Sequence, residues 1–244
     1  MKMQRHIRCS EGDVGRYVFI PGDPARAEKI AQKLEDSTLV AKNREFVVYT
    51  GYLEGEKVSV CSTGIGGPSA SIAVEELANI GAEYFIRVGS AGARQEDMGI
   101  GELVVATAAY RGEGTSRAYA PIPFPAVADM EITRALLIAC KRLGYGCRSG
   151  IVFTRDAYYV QDWDLNEFLK KAGVVAAEQE CATVFVVSTL RKVKAGAILA
   201  TDSNIWLKDQ PSAQEKERLF REGERKAIEV AIEAFRILIR GEKV

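Results

Sequence analysis

Six short apolar runs recur along the chain, and each stops in glycines or in charged and hydroxylated residues. They are RYVFIPGDP (16–24), KVSVCSTGIGGPS (57–69), EYFIRVGSAG (83–92), GELVVATAAY (101–110), GIVFTRDAYY (150–159) and AGAILATDSN (195–204). Between them lie stretches with helical periodicity: Pro24–Leu34, Pro68–Ile80, Glu131–Leu143, Glu178–Arg191 and Gln214–Arg240. Pro24 and Pro68 suit a first helical turn, where a missing N–H costs nothing. Strands that alternate with helices favour a largely parallel sheet covered on both faces. No linker, repeat or composition break divides the chain. The expectation is an α/β fold: one domain over 1–244, with a central mixed, mainly parallel sheet flanked by helices.

The bulk composition narrows the partners. Apolar residues make up 47%, enough for a large core, and Lys+Arg and Asp+Glu both number 33. Zero net charge without a basic run disfavours broad binding to nucleic acid or anionic membrane. No apolar stretch is long enough to span a bilayer, and the first residues are polar, so a cytoplasmic protein is expected. The cysteines Cys9, Cys61, Cys140, Cys147 and Cys181 are scattered, and the single His6 has no clustered partners. Free buried thiols are the expectation and a metal site is not.

The unusual residues collect where strands end: Gly22-Asp23-Pro24-Ala25-Arg26, Gly64-Ile65-Gly66-Gly67, Arg87 to Ser90, Arg155-Asp156 and Thr201-Asp202. Ligands of open α/β sheets bind beyond the carboxyl ends of strands, so these ends suggest one composite pocket. The turn GIGGPS lacks the third glycine of a dinucleotide fingerprint, and no P-loop is present. A glycine turn before a helix still bares N–H groups that suit an anion, although it can equally be a tight turn and nothing more. Arg26, Arg44 and Arg87 could hold phosphate oxygens bidentately, against the ordinary fate of an arginine in a surface ion pair. Arg87 stands out because the strand around it is apolar and an unpaired buried charge is costly. Ser90 adds a hydroxyl three residues on.

Glu178 and Glu180 stand where a helix begins. They are either dipole-favoured acids or acceptors for sugar hydroxyls. Asp202 follows the apolar run Ala197-Ile198-Leu199-Ala200, where desolvation would raise its pKa and make it a general acid; a turn aspartate is the competing account. Tyr158, Tyr159 and Trp206 flank the same region and could stack on a planar base, with core packing as the alternative.

In the order PGDPARAEKI, NREF, STGIGGPSASIAVEELANIGA, IRVGSAGA, FPAVAD, DAYY, AEQECAT and TD, the chain resembles the nucleoside phosphorylases that include uridine phosphorylases and hexameric purine nucleoside phosphorylases. The likeness runs from about His6 to Lys208. It implies a phosphorylase/hydrolase-like fold and a pentosyltransferase that uses inorganic phosphate as co-substrate and needs no cofactor. Phosphate would displace the base of a nucleoside and leave ribose 1-phosphate. It further implies phosphate binding by Gly22, Arg26, Arg87 and Ser90, with Arg44 reaching a neighbouring subunit. Ribose would be bound by Glu180, Gln179 and His6, and the base by Tyr158, Glu178 and Asp202. Arg87 and Asp202 would be the catalytic pair. A homo-oligomer with shared sites, a hexamer built from dimers, goes with that pattern. The first half reads like a uridine phosphorylase. Yet the segment Val160-Gln161-Asp162-Trp163-Asp164 lacks the arginine that uracil binders carry there, and Asp202 matches the aspartate of purine-cleaving members. A purine nucleoside is therefore expected first (inosine or guanosine, then adenosine or methylthioadenosine), with uridine as the alternative. Neither Lys216 nor Arg218 has the spacing to assist Asp202 firmly, and Gln179 stands where the family usually has Met. A hydrolytic nucleosidase, which would lack the phosphate arginines, and a non-catalytic nucleoside binder are the rival classes.

Overall fold

The central strand explains how a guanidinium enters an apolar sheet. In the computed structural model, which describes residues 3–244, β5 (Tyr84–Ala93) alternates its side chains between two faces. Ile86 and Val88 join one core with Phe19, Ile30, Leu136 and Phe235. Phe85 joins the other with Leu77, Val184 and Phe185, and Arg87 shares its face by the period of two.

Two parallel strands flank β5: β1 (Tyr17–Phe19) and β10 (Lys194–Asn204). Past β1 the sheet continues to β4 (Glu56–Cys61), then antiparallel to β3 (Phe46–Leu53) and β2 (Glu35–Asn43). Past β10 it continues antiparallel to β6 (Leu103–Gly112), which pairs with β7 (Ala126–Val127) and with β8 (Cys147–Arg155). The short β9 (Ala176–Glu178) runs parallel to β8 and antiparallel to the end of β5, so β5, β10, β6, β8 and β9 close into a ring. Five of these pairings are parallel and five antiparallel, a mixed sheet.

Helices α1 (Pro24–Ala31), α4 (Met130–Arg142) and α7 (Ala213–Ile239) cover the Ile86 face. Helices α2 (Gly67–Asn79) and α6 (Cys181–Arg191) cover the Phe85 face. Two more helices, α3 (Thr115–Tyr119) and α5 (Trp163–Lys171), complete the chain. Aspartates start three of them by the ordinary capping bond: Asp23 accepts from Ala25 N, Asp129 from Ile132 N and Asp162 from Leu165 N. Each fully buried Phe or Leu of these cores contributes about 1.5–3 kcal/mol. Among the described residues no helix is long and apolar enough to cross a membrane.

All six expected strands and five expected helices form. One boundary moves: Glu178 ends β9, and the helix expected to start there begins at Cys181. The register pairs Glu178 with Thr154 of β8, so the chain stays extended before it turns.

Candidate active site

That turn creates the site. Glu178 and Glu180 are both buried and both face Arg87. Arg87 Nε donates to Glu178 Oε2 at 3.2 Å, and Arg87 Nη2 donates to Glu180 Oε2 at 2.5 Å. Glu178 Oε2 also accepts from the backbone N–H groups of Glu180 and Cys181, at 2.8 Å each. Its Oε1 accepts from Thr154 Oγ1, whose own oxygen takes the N–H of Ala182. The carboxylate of Glu178 thus satisfies N–H groups where α6 begins and anchors the guanidinium, as a charged cap does.

Glu180 closes the cluster against α2. Its Oε1 accepts the N–H of Gly66 at 2.7 Å. Gly66 has φ of 95°, a conformation that favours glycine and turns its N–H inward before the helix. The glycine turn does bind an anionic group, the Glu180 carboxylate.

Burial works against the Arg87 cation, but the carboxylates of Glu180 and Glu178 outweigh it and hold its pKa above the usual arginine value. Burial raises the pKa of Glu180; Arg87 opposes this, and the Glu178 charge reinforces it. Gly89 makes room for the guanidinium. A Cβ on Gly89 would lie 2.8 Å from Arg87 Cζ and 2.8 Å from Leu199 Cδ2.

Among the described residues none of the other phosphate candidates shares a hydrogen bond with this cluster. Arg26 is buried; its Nε donates to Glu224 Oε1 at 2.7 Å and its Nη1 to the carbonyl of Val88 at 3.1 Å. Glu224, on α7, carries no distinguishing signal in the sequence, and Lys29 Nζ also donates to it, at 2.5 Å. Gly22 packs on the turn at Gly64: the Gly64 N–H donates to its carbonyl, and a Cβ there would stand 3.0 Å from Gly64 O. Ser90 is half-buried on β5, two residues from where that strand meets β9. Arg44 is exposed at the β2–β3 turn, next to Glu45, whose side chain lies against Gly64.

His6 Nδ1 lies 2.6 Å from Glu76 Oε1, and its backbone N–H also donates to Glu76. Among the described residues no hydrogen bond joins His6 or Arg44 to the Arg87 cluster. Tyr158 is exposed, stands over Arg155 at 5.9 Å, and receives at its carbonyl an N–H of that arginine. Gln179 Nε2 donates to Asp156 O at 2.8 Å, tying the Tyr158 loop to the ribose candidates. Asp202 is half-buried at a bulge of β10, and its Oδ1 accepts from Ser203 Oγ at 2.7 Å. Arg218 is occupied by Glu215 on α7, at 2.7 Å, and the Trp206 ring lies 3.9 Å from Lys170 Nζ and edge-on to Trp163.

A cavity of about 660 Å³ opens between α1 and α7, lined by Arg26, Lys29, Phe220 and Glu224. Its lining includes none of Arg87, Glu178, Glu180 or Asp202.

The sequence and the fold have known counterparts. Residues 16–236 match the family model of the phosphorylase superfamily. A uridine phosphorylase of Thermococcus kodakarensis is 41% identical, covering 97% of this chain and 87% of the relative. A guanosine phosphorylase of Halorubrum lacusprofundi is 40% identical over 90% of this chain and 91% of its own. The crystal structure of a uridine phosphorylase from Vibrio fischeri superposes with a TM-score of 0.89 at 36% identity, covering 96% of this chain and 97% of that one. Matched over nearly its whole length in sequence and in fold, the chain belongs to the nucleoside phosphorylases of the phosphorylase superfamily, which are pentosyltransferases.

Proposed function

We propose that the protein cleaves the N-glycosidic bond of uridine with inorganic phosphate, giving uracil and ribose 1-phosphate. The observation that carries the phosphorolytic part is the buried contact of Arg87 with Glu178 and Glu180. It joins a phosphate-binding cation to an acceptor for ribose hydroxyls within one hydrogen-bonded unit.

In this reading phosphate is held by Arg87, Arg26, Ser90 and the backbone at Gly22. Arg44 comes from a neighbouring subunit. Glu180 holds the ribose hydroxyls, with Gln179 beside it and His6 reaching a partner's sugar. Glu178 spends its oxygens on Arg87, Thr154 and the start of α6, so it positions the cation instead of touching the base. Tyr158 covers the base and Asp202 faces it. As the glycosidic bond lengthens, positive charge grows on the sugar and the phosphate anion beneath stabilises it. The electron pair of the broken bond leaves on the base, and a phosphate oxygen bonds to C1′. A hexamer built from dimers completes each site.

Uridine is preferred to the purine expected from Asp202 because relatives at 41% and 42% identity are uridine phosphorylases. A guanosine reading comes second, on the relative at 40% and on Asp202 at the end of β10. The test is a phosphorolysis assay of uridine, guanosine, inosine, adenosine and methylthioadenosine, with and without phosphate. Uridine cleavage that needs phosphate is expected. Base release without phosphate sinks the phosphorylase reading, and guanosine cleavage without uridine cleavage reverses the order of bases.

A further inference from the structure

Arg94 is a buried cation that the proposed mechanism does not use. It lies just past β5, is 2% exposed, and has no carboxylate within ion-pairing distance among the described residues. Its Nη1 donates to the carbonyls of Gly92 and Ala93, at 3.2 and 3.1 Å, and its buried Nε has no partner. A chain does not ordinarily bury a guanidinium beside two carbonyls of its own strand and leave a donor unmet.

The surroundings indicate what would meet it. β5 and β10 end side by side here, with Gly92 in register with Ser203. A Cβ on Gly92 would stand 2.9 Å from Arg94 Nη1 and 3.0 Å from Ser203 Oγ, so the three residues converge on one point. Ser203 Oγ donates to Asp202. Burial and the charge of Arg155 lower the Arg94 pKa to about 10, while Asp202 and Tyr158 oppose that fall. The cation therefore stays charged at neutral pH, between the residues proposed to face and to cover the base.

We propose that Arg94 and Asp202 together read the edge of the nucleobase, the guanidinium donating to a ring carbonyl and the carboxylate accepting from the adjacent ring N–H. This rests on the phosphorylase reading and deepens it. The pair fits uracil and 6-oxopurines alike, and it rejects cytosine and adenine, whose amino groups would present a donor to a buried cation. As the C1′–N bond breaks, the departing pair delocalises onto that carbonyl oxygen, and the guanidinium stabilises the charge where it develops. Arg94 is thus a specificity and catalytic residue.

The experiment compares wild type, Arg94→Met and Arg94→Lys. It measures phosphate-dependent cleavage of uridine, cytidine, guanosine and adenosine, and calorimetric binding of uracil, cytosine, guanine and adenine. In the Met variant, kcat/KM for the best oxo-base substrate should fall about 100-fold or more, the KM for phosphate should hold, and the oxo-over-amino ratio should collapse. Methionine removes an unpaired buried charge, so the melting temperature should not fall; should that variant fail to fold, the Lys variant, which keeps a charge but loses the planar fork, carries the test by the same ratio. Wild-type ratios retained in a folded variant overturn the proposal and leave the phosphorylase reading standing. A wild type that cleaves no nucleoside but binds oxo bases through Arg94 sinks that reading and leaves the base-reading pair standing. Binding of oxo bases that is indifferent to position 94 overturns the pair.

Discussion

Arg87 and Glu180, 93 residues apart in sequence, are joined by a 2.5 Å hydrogen bond between Nη2 and Oε2 at the end of β5. The side chain proposed for phosphate and the one proposed for ribose are therefore partners of each other. An anion that takes an N–H of Arg87 loosens that bond, and the released Glu180 oxygen can turn to a sugar hydroxyl. In the proposed reaction, binding of the two substrates would be coupled through this one guanidinium, which would make it the most sensitive position in the site.

Arg87→Lys keeps the charge but loses the fork that spans two carboxylates and phosphate. Its kcat/KM should fall by about 10²–10³, the range for removing one donor of a charge-stabilising site. Arg87→Met leaves two buried carboxylates without a counter-ion, and should cost about 3–5 kcal/mol of folding stability as well. Steady-state kinetics with urea unfolding separates the two effects: loss of stability in Met but loss of rate in both.

Gly89→Ala tests the same pair from beneath. The added methyl would meet Arg87 Cζ and Leu199 Cδ2, each 2.8 Å away, and neither can retreat far in a filled core. Overpacking of this kind costs about 1–3 kcal/mol. Activity should fall further than stability predicts, because the guanidinium is the atom group displaced. A variant with wild-type kcat/KM would show that the cation has slack.

These contacts were only partly visible in the chain. Arg87 stood out because it interrupts Phe85-Ile86 and Val88, and the sheet then fixed its face by alternation. Glu224 did not stand out. It lies in the long charged pattern of α7, where a glutamate reads as solvated, and only the docking of α7 on α1 brings it to Arg26, 198 residues away. The strand β2 carries no such signal, because EDSTLVAKN is polar and mostly exposed, an edge that needs no apolar alternation. Arg94 follows a glycine turn and looks like a loop residue; its burial comes from β9 folding back on β5. The proposed base-reading pair is hidden for the same reason, since Arg94 and Asp202 come together only where the ends of β5, β9 and β10 meet.

Glu224 also sets a pH dependence. Burial alone would raise its pKa, but the hydrogen bonds from Lys29 and Arg26 prevail and hold it below the usual carboxylate value of 4.5. A carboxylate depressed in the folded state adds stability above its unfolded pKa and loses it as pH falls through the folded one. Glu224→Gln should therefore be less stable than wild type at pH 7, by about 1–3 kcal/mol. The difference should shrink as the pH falls below about 4.5. Urea melts of both proteins across that range give the answer directly. A difference that grows in acid would reverse the assignment.

Asp202→Asn separates the two base readings by chemistry. Should Asp202 act on a purine as an acid, in place of accepting its ring N–H, a departing purine gains most from the proton it delivers to a ring nitrogen, and an amide cannot deliver one. A departing uracil leaves as an anion spread over its carbonyls, and the amide oxygen of asparagine can still accept the ring N–H. With guanosine as substrate the substitution should lower kcat by about 10²–10⁴, the span of general acid catalysis. With uridine it should change kcat far less. Pre-steady-state base release, followed for both nucleosides at saturating phosphate, shows which holds. Equal losses on both would mean that Asp202 does not supply a proton, only a hydrogen bond that every substrate needs.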